Sequence, residues 1–289
     1  MKRLGIIVNV QRPDAEATVA AITGWAKANG WPIMASYQID MVRTPDFTSV
    51  PKEFFRDKVD LLLALGGDGT ILTAARTVAE FGIPVLGINL GSLGFLTIVP
   101  PDGVTAALDR IRDGASLTEK RMMLEATEVG GSGERWPGLN DIVLDKGGIA
   151  RIVTLHVSLN GEFLSEIACD GVIIATPTGS TAYALSVGGP ILMPKMHGFI
   201  FAPISPHTLA HRPMVFDSDD RLQVTVKSVA GSVMLTVDGQ WARRLSQGTT
   251  VEIGRAPHPA LLVTFPDRSF LRVLREKLHW GISPIRPGD

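Results

Sequence analysis

Apolar residues follow two rhythms along this chain, and the change between them falls near residue 118. Over the first hundred residues, short apolar runs alternate with helical spacing. Leu4 to Val8, Ile33 to Ile39, Val59 to Leu65 and Ile83 to Ile88 have strand length. The run ending at Leu65 is almost wholly apolar, as expected of a strand buried on both faces of a parallel sheet. Between the runs, Asp14 to Asn29 carries Ala17, Ala20, Ala21, Trp25 and Ala28 at near-helical spacing before Gly30, and Ile71 to Phe81 precedes Gly82. Both read as helices stopped by glycine, and a third is predicted near Val104 to Arg112. Strand, helix and strand in this order predict a doubly wound α/β domain over residues 1–117.

From Arg151 the period shortens to two. Val153, Leu155, Val157 and Leu159 alternate with Thr154, His156 and Ser158, and Asn160-Gly161 supplies a hairpin turn into Glu162 to Ala168. Leu222 to Val226 and Val233 to Val237 are further strands, the second ending at Asp238-Gly239, itself a type I′ turn signal. Residues 118–265 therefore read as a β-rich, β-sandwich-like domain. In the tail, Phe270, Val273, Leu274 and Leu278 are compatible with a helix, and residues 266–289 are expected to pack back on the first domain.

Charge narrows the function. Lys and Arg total 28 against 29 for Asp and Glu, a formal net charge of −1 with no run of like sign. Such a balance gives no electrostatic footprint for nucleic acid. The apolar runs are too short to span a bilayer or to serve as a secretory signal. A single cysteine, Cys169, excludes an internal disulfide and a four-cysteine zinc site. The expectation is a cytoplasmic protein acting on neither nucleic acid nor membrane.

Gly66-Gly67-Asp68-Gly69-Thr70 falls where a parallel strand gives way to a helix. Open α/β sheets bind ligands outside the carboxyl ends of their strands. Glycines there let backbone amides approach phosphate, and the helix N-terminus favours negative charge. Leu72 replaces the third glycine of a GxGxxG, and no Walker lysine follows. Asp68 is out of place beside phosphate unless it caps the helix, holds a metal, or takes a proton from an attacking hydroxyl. The pentapeptide recurs in diacylglycerol- and sphingosine-type lipid kinases, in phosphofructokinase-like enzymes and in NAD kinases.

A second motif is longer: Asp170-Gly171-Val172-Ile173-Ile174-Ala175-Thr176-Pro177-Thr178-Gly179-Ser180-Thr181-Ala182-Tyr183. By its residues alone it is a buried strand followed by a turn opening a helix. Its hydroxyls form either an N-cap cluster or a ligand loop, with Tyr183 offering an aromatic face. Asn140, at a strand entrance, makes either an Asx turn or an amide able to read an adenine edge. Arg151, on the apolar phase of its strand, either snorkels at an edge or meets a ligand.

Taken in order with Leu139-Asn140-Asp141, Gly188-Gly189-Pro190, Pro206-His207-Thr208-Leu209 and Asp238-Gly239-Gln240, these motifs resemble the NAD kinase family over roughly residues 60 to 245. The resemblance implies phosphoryl transfer from ATP, or another phosphate donor, to the 2′-hydroxyl of the adenosine ribose of NAD, giving NADP. Gly66, Gly67, Gly69 and Thr70 would hold donor phosphates bridged by a divalent cation such as Mg²⁺, with no metal-ligand set from the protein. Asp68 would accept the hydroxyl proton.

By the same resemblance, Asp68, Gly69, Phe95, Asn140, Asp141, Arg151 and Ala168 would contact the dinucleotide. So would Asp170, Thr178, Thr181, Ala182, Tyr183, Ser186 and Gln240. Asp141 departs from the family's Asn-Glu pattern and is one methylene shorter. Ala168 is small where some members restricted to oxidised NAD carry arginine, which leaves NADH open. A homodimer or homotetramer is implied. Two other readings stand beside this one: a diacylglycerol-type lipid kinase sharing the glycine turn, and a non-catalytic NADP-binding sensor, which would need no Asp68.

Overall fold

The computed structural model describes residues 2–39, 55–91, 94–147, 152–208, 210–228 and 233–279, without the side chains of 35–39 and 228. Arg151 lies outside the described residues. Two compact units result. One holds the described residues up to Glu119 and those from Leu261 onward; the other is Lys120–Ala260.

The first unit begins β1 (Leu4–Asn9), α1 (Ala15–Asn29), β2 (Ile33–Ile39), β3 (Leu61–Gly66), α2 (Asp68–Val78), β4 (Val85–Asn89), α3 (Val104–Arg112) and β5 (Leu117–Arg121). Strands β1 to β4 pair in parallel in the order β2-β1-β3-β4. On one face Leu4, Ile6, Leu63 and Leu65 pack with Ile22 and Trp25 of α1 and Leu108 and Ile111 of α3. The other face meets α2, where a Cβ on Gly87 would collide with Ile71. With both faces covered, every residue of β1 and β3 is buried, which explains their continuous apolar runs. Each buried Leu or Ile contributes about 1.5–3 kcal/mol. The strand order reverses between β1 and β3, and there the carboxyl ends of the two strands, Asn9 and Gly66, open a crevice for ligand.

The second unit contains β6 (Leu124–Glu128), β7 (Arg135–Gly138), β8 (Asp141–Asp145), β9 (Val153–Leu159), β10 (Glu162–Cys169), β11 (Gly171–Ala175) and the short α4 (Tyr183–Ser186). It continues with β12 (Gly198–Ile204), β13 (Met214–Asp217), β14 (Arg221–Ser228), β15 (Val233–Val237), β16 (Trp241–Leu245) and β17 (Thr250–Arg255). They form two six-stranded sheets, β10-β9-β14-β17-β6-β7 and β13-β12-β11-β8-β15-β16. Val153, Leu155 and Val157 of one sheet and Ile142, Val172 and Leu235 of the other share one core. Asn160 and Gly161 have φ of 52° and 83°, Asp238 and Gly239 of 52° and 63°, the left-handed pairs that type I′ turns require.

One expected boundary moves. Residues up to 265 were assigned to the β-rich domain, but β18 (Ala260–Thr264) enters the first sheet, with Leu262 opposite Val85 in parallel. Ala260, Leu262 and Val263 are all buried, a pattern that suits a strand covered on both faces and not the alternation of the sandwich. The chain then stays with the first unit through α5 (Phe270–Leu278). Asp267 pairs with Arg110 at 2.6 Å, Arg268 donates to the Ile98 carbonyl, and the Phe270 ring lies 6.5 Å from that of Phe95. Among the described residues no helix is long and apolar enough to cross a membrane.

Candidate active site

The glycine turn lies at the carboxyl end of β3, and α2 begins at Asp68 itself with Gly67 in the cap position. No side chain caps this helix, so the capping reading of Asp68 fails. Its carboxylate instead accepts three consecutive backbone amides from a loop nearly thirty residues on. Oδ2 takes the Phe95 N–H at 2.7 Å, and Oδ1 takes those of Leu96 and Thr97 at 3.0 and 3.1 Å. Glycine at 94 permits this approach, because a Cβ there would collide with Asp68 Oδ1.

Within the turn the five residues divide. Gly66 and Thr70, expected at the donor phosphates, are both buried, and a Cβ on Gly66 would collide with Thr70 Oγ1. They pack against each other beneath the turn, and the Thr70 hydroxyl is buried without a hydrogen-bond partner among the described residues. Gly67, Asp68 and Gly69 are half-exposed. Gly67 has φ −106° and ψ −169°, open to any residue, and nothing lies within 4 Å of a Cβ built on it. The fold makes no demand for glycine there. Phe95 is half-buried; its amide serves Asp68 while its ring packs on Phe270, with Lys277 Nζ 5.4 Å from the ring centre.

In the second unit the turn from β7 into β8 is built on another carboxylate. Asp238 Oδ2 accepts the Leu139 N–H at 3.1 Å, and Oδ1 accepts those of Asn140 and Asp141 at 2.7 and 3.2 Å. The Asp238 amide donates back to the Asp141 carbonyl at 2.9 Å. Asn140 makes no Asx turn: its side chain forms no hydrogen bond among the described residues, so its amide is available. The turn is clamped from the other side by Thr176, whose N–H reaches the Asn140 carbonyl at 2.9 Å and whose hydroxyl reaches that of Leu139 at 2.6 Å. Gly179 lies flat against Asn140, where any Cβ would strike its carbonyl. Two motifs separated by nearly forty residues are thereby one structure.

The hydroxyls after β11 are engaged inside the protein. Ser180 Oγ donates to the Pro177 carbonyl at 2.7 Å and accepts the Leu192 N–H at 3.0 Å. Thr178, buried, accepts from Arg121 at 3.3 Å; Thr181 donates to the Thr178 carbonyl at 3.3 Å and Ser186 to that of Tyr183 at 2.8 Å. None is a side-chain cap. Ala182 is half-buried beside Tyr183, which is 44% exposed.

Acidic groups gather around that ring. Partial burial raises the Tyr183 hydroxyl, helped by Asp145, Asp141 and Asp170. Asp141 is only 5% exposed, and burial, then the charge of Asp238, push its carboxyl up to about 7. Asp145 is also raised, by burial. Asp170 is held by Lys146 at 2.7 Å. Ala168 is half-buried in β10, its carbonyl accepting the His207 N–H at 2.9 Å. Gln240, half-buried, follows the Asp238 turn. Asp238, Asp145 and Lys146 were not among the expected site residues. Asp238 stands in the sequence as a turn residue within one of the ordered motifs; its clamp on Leu139, Asn140 and Asp141 is not visible there, because those amides lie about a hundred residues away.

Two family models match the chain: the ATP-NAD kinase N-terminal domain over residues 4–115 and the ATP-NAD kinase C-terminal domain over 139–265. The NAD kinase of Syntrophotalea carbinolica is 39% identical over 288 residues, covering 97% of this chain and 99% of the relative. That of Carboxydothermus hydrogenoformans is 48% identical over 224 residues, 77% and 80% of the two chains. Among solved structures, a yeast NADH kinase complexed with NADH superposes with a TM-score of 0.80 at 25% identity, covering 99% of this chain and 90% of that one. An NAD kinase from Archaeoglobus fulgidus in complex with ATP gives 0.75 at 24%, covering 96% and 98%.

Proposed function

This chain belongs to the NAD kinase family, and from that premise we infer how its residues divide the reaction. It is a phosphotransferase that moves a phosphoryl group from ATP to the 2′-hydroxyl of the adenosine ribose of NAD, giving NADP. The observation that carries the assignment is the Asp68 carboxylate, half-exposed in the glycine turn and held by three amides instead of capping its helix.

A ribose hydroxyl is a weak nucleophile that must lose its proton as the new P–O bond forms. Asp68 Oδ1 already accepts two hydrogen bonds and Oδ2 one, so Oδ2 is the oxygen with capacity for the proton. Because the cradle fixes the carboxylate beforehand, no reorganisation is needed at reaction. Gly67 and Gly69 at the α2 N-terminus lie against the donor phosphates. A glycine that the fold does not need at 67 is accounted for by a ligand that must come close. Asn140 reads the adenine edge, and Asp141, Asp170 and Tyr183 line the dinucleotide; Ala168, Thr178, Thr181, Ala182, Ser186 and Gln240 shape that surface.

Among the described residues, no group of three or more His, Cys, Asp or Glu side chains stands ready to hold a metal ion. A divalent cation would be carried on the donor phosphates beside Gly67 and Gly69, and when bound it would neutralise their charge. We extend the reading to a cytoplasmic homo-oligomer, on the relatives' family and on Phe163 and Val215. These are 60% and 47% exposed on the edge strands β10 and β13, where apolar side chains favour a partner. Purified protein given NAD and Mg²⁺ with ATP, other nucleoside triphosphates or polyphosphate in turn, and assayed with an NADP-specific dehydrogenase, tests the reaction and ranks the donors. No NADP from any donor would sink it.

A further inference from the structure

A cavity of about 560 Å³ opens within the second unit, sharing no residue with the sites above. Five cationic side chains line it, Lys120, Arg135, Lys195, Arg221 and Arg255, against one acid, Glu125. In a chain with 28 Lys and Arg and 29 Asp and Glu, this is a local concentration and not a reflection of composition. Two of the cations are neutralised: Arg135 by Glu125 at 3.4 Å and Arg255 by Asp219 at 2.7 Å. Lys120 and Lys195 form no ion pair among the described residues, and the Arg221 guanidinium donates only to the neutral Asp220 carbonyl, at 3.3 Å. Three positive charges thus face the space uncompensated.

Apart from His197, the remaining wall is apolar. Met122, Met196 and Pro257 contribute to it, and methionine adapts to flat or irregular ligands. The volume lies in the range of sites for small organic ligands and is far larger than an inorganic anion needs. Both chain segments that leave the unit, at Lys120–Met123 and Ala256–Pro259, run along this cavity, tied together by the Ala256 N–H on the Met123 carbonyl at 2.8 Å.

We propose that this cavity is a second binding site, for a phosphorylated small molecule with an apolar body, of nucleotide class, separate from the glycine turn. Lys120, Lys195 and Arg221 meet its phosphates, and the methionine and proline wall meets its base.

The chain's lone cysteine favours a local test. Cys169 is buried and its thiol is pushed up to about 12 by that burial, so Met196→Cys adds one reactive thiol on the cavity wall. A trifluoromethyl label there reports by fluorine NMR. ADP should shift the resonance saturably, and pyrophosphate, lacking the apolar body, should do so more weakly. Adding Lys120→Ala, Lys195→Ala and Arg221→Ala should weaken ADP by about tenfold or more, the loss of at least one charge-assisted contact. Gly67→Val, in the donor turn, should leave the titration in place. In unlabelled protein ADP should protect Lys120 and Lys195 from acylation, mapped by mass spectrometry. The proposal is overturned by no shift and no protection up to about 10 mM ADP, a concentration above any functional affinity. A shift indifferent to the triple substitution or one abolished by Gly67→Val also overturns it, as does a resonance that changes on dilution alone, which would mean that a second copy fills the cavity. Each readout is binding, so it stands apart from NADP formation.

Discussion

Asp68 in the first unit and Asp238 in the second are held in the same way and differ in what they face. Each carboxylate accepts three consecutive backbone amides, two on Oδ1 and one on Oδ2, at 2.7 to 3.2 Å. Asp238 is 8% exposed; its charge is enclosed, and the turn it gathers carries Asn140 and Asp141. Asp68 is half-exposed, and the loop it gathers does not lie in the glycine turn. In one case the carboxylate positions other side chains. In the other, the amides position the carboxylate. On the proposed reading the same three bonds serve binding at one place and chemistry at the other, and substitution should separate the two.

The largest effect is expected at Asp68. Asp68→Asn removes the proton acceptor, and turnover should fall by about 10² to 10⁴-fold while the KM for NAD stays within a few-fold. One cradle amide then faces an NH₂ group, which costs about 1–3 kcal/mol, so the melting temperature should be recorded with the kinetics. Near-native turnover would assign Asp68 to structure alone. Next comes Gly94→Ala, which keeps every reacting group chemically intact but drives Asp68 from its cradle. A displacement of this kind is worth up to about 100-fold in kcat, and a variant with unchanged kcat would show that the cradle's precision is dispensable.

Asp238→Asn should behave oppositely. Losing one acceptor for a buried amide destabilises the turn by about 1–3 kcal/mol, lowers the melting temperature, and raises the KM for NAD about tenfold, with kcat little changed. A fall confined to kcat would erase the distinction between the two carboxylates. The smallest effect concerns Asp141, whose carboxyl is raised from 3.8 to about 7. The folded protein holds this proton more tightly than the unfolded chain, so ionisation removes stability as pH rises from about 4 to about 7. Asp141→Asn abolishes that contribution. Its melting temperature relative to wild type should climb between pH 5 and pH 8, and a constant offset across that range would refute the buried-acid account.

How far each carboxylate could be read in the sequence follows from the same contrast. Both units were legible where periodicity carries the information: continuous apolar runs for β1 and β3, alternation for β9, and Asn-Gly and Asp-Gly for turns that need two positive φ angles. The glycine turn and Asn140 stand out in the sequence as candidate site residues because motif order singles them out. The partners of Asp68 and Asp238 were not, since backbone amides carry no side-chain signature and lie about 27 and 97 residues away along the chain. Thr70 looks like a phosphate ligand in sequence and is buried in the fold, because only packing against Gly66 decides which way its hydroxyl turns. Strand β18 departs from the expected boundary for a related reason: its four apolar residues fit either core, and a single register pair with β4 chooses between them.

That strand also sets a timetable for synthesis. When the ribosome has released β1 to β4 and Val99, which bridges the end of β4 at Ile88, the part of β4 around Val85 still lacks its neighbour; β18 appears only about 170 residues after β4. At about 5–20 residues per second this leaves an open strand edge for about ten to thirty seconds. An unpaired, apolar edge of this kind is a template for mispairing between nascent chains. The interrupted first unit thus keeps part of that edge uncovered throughout the time its sandwich is being made.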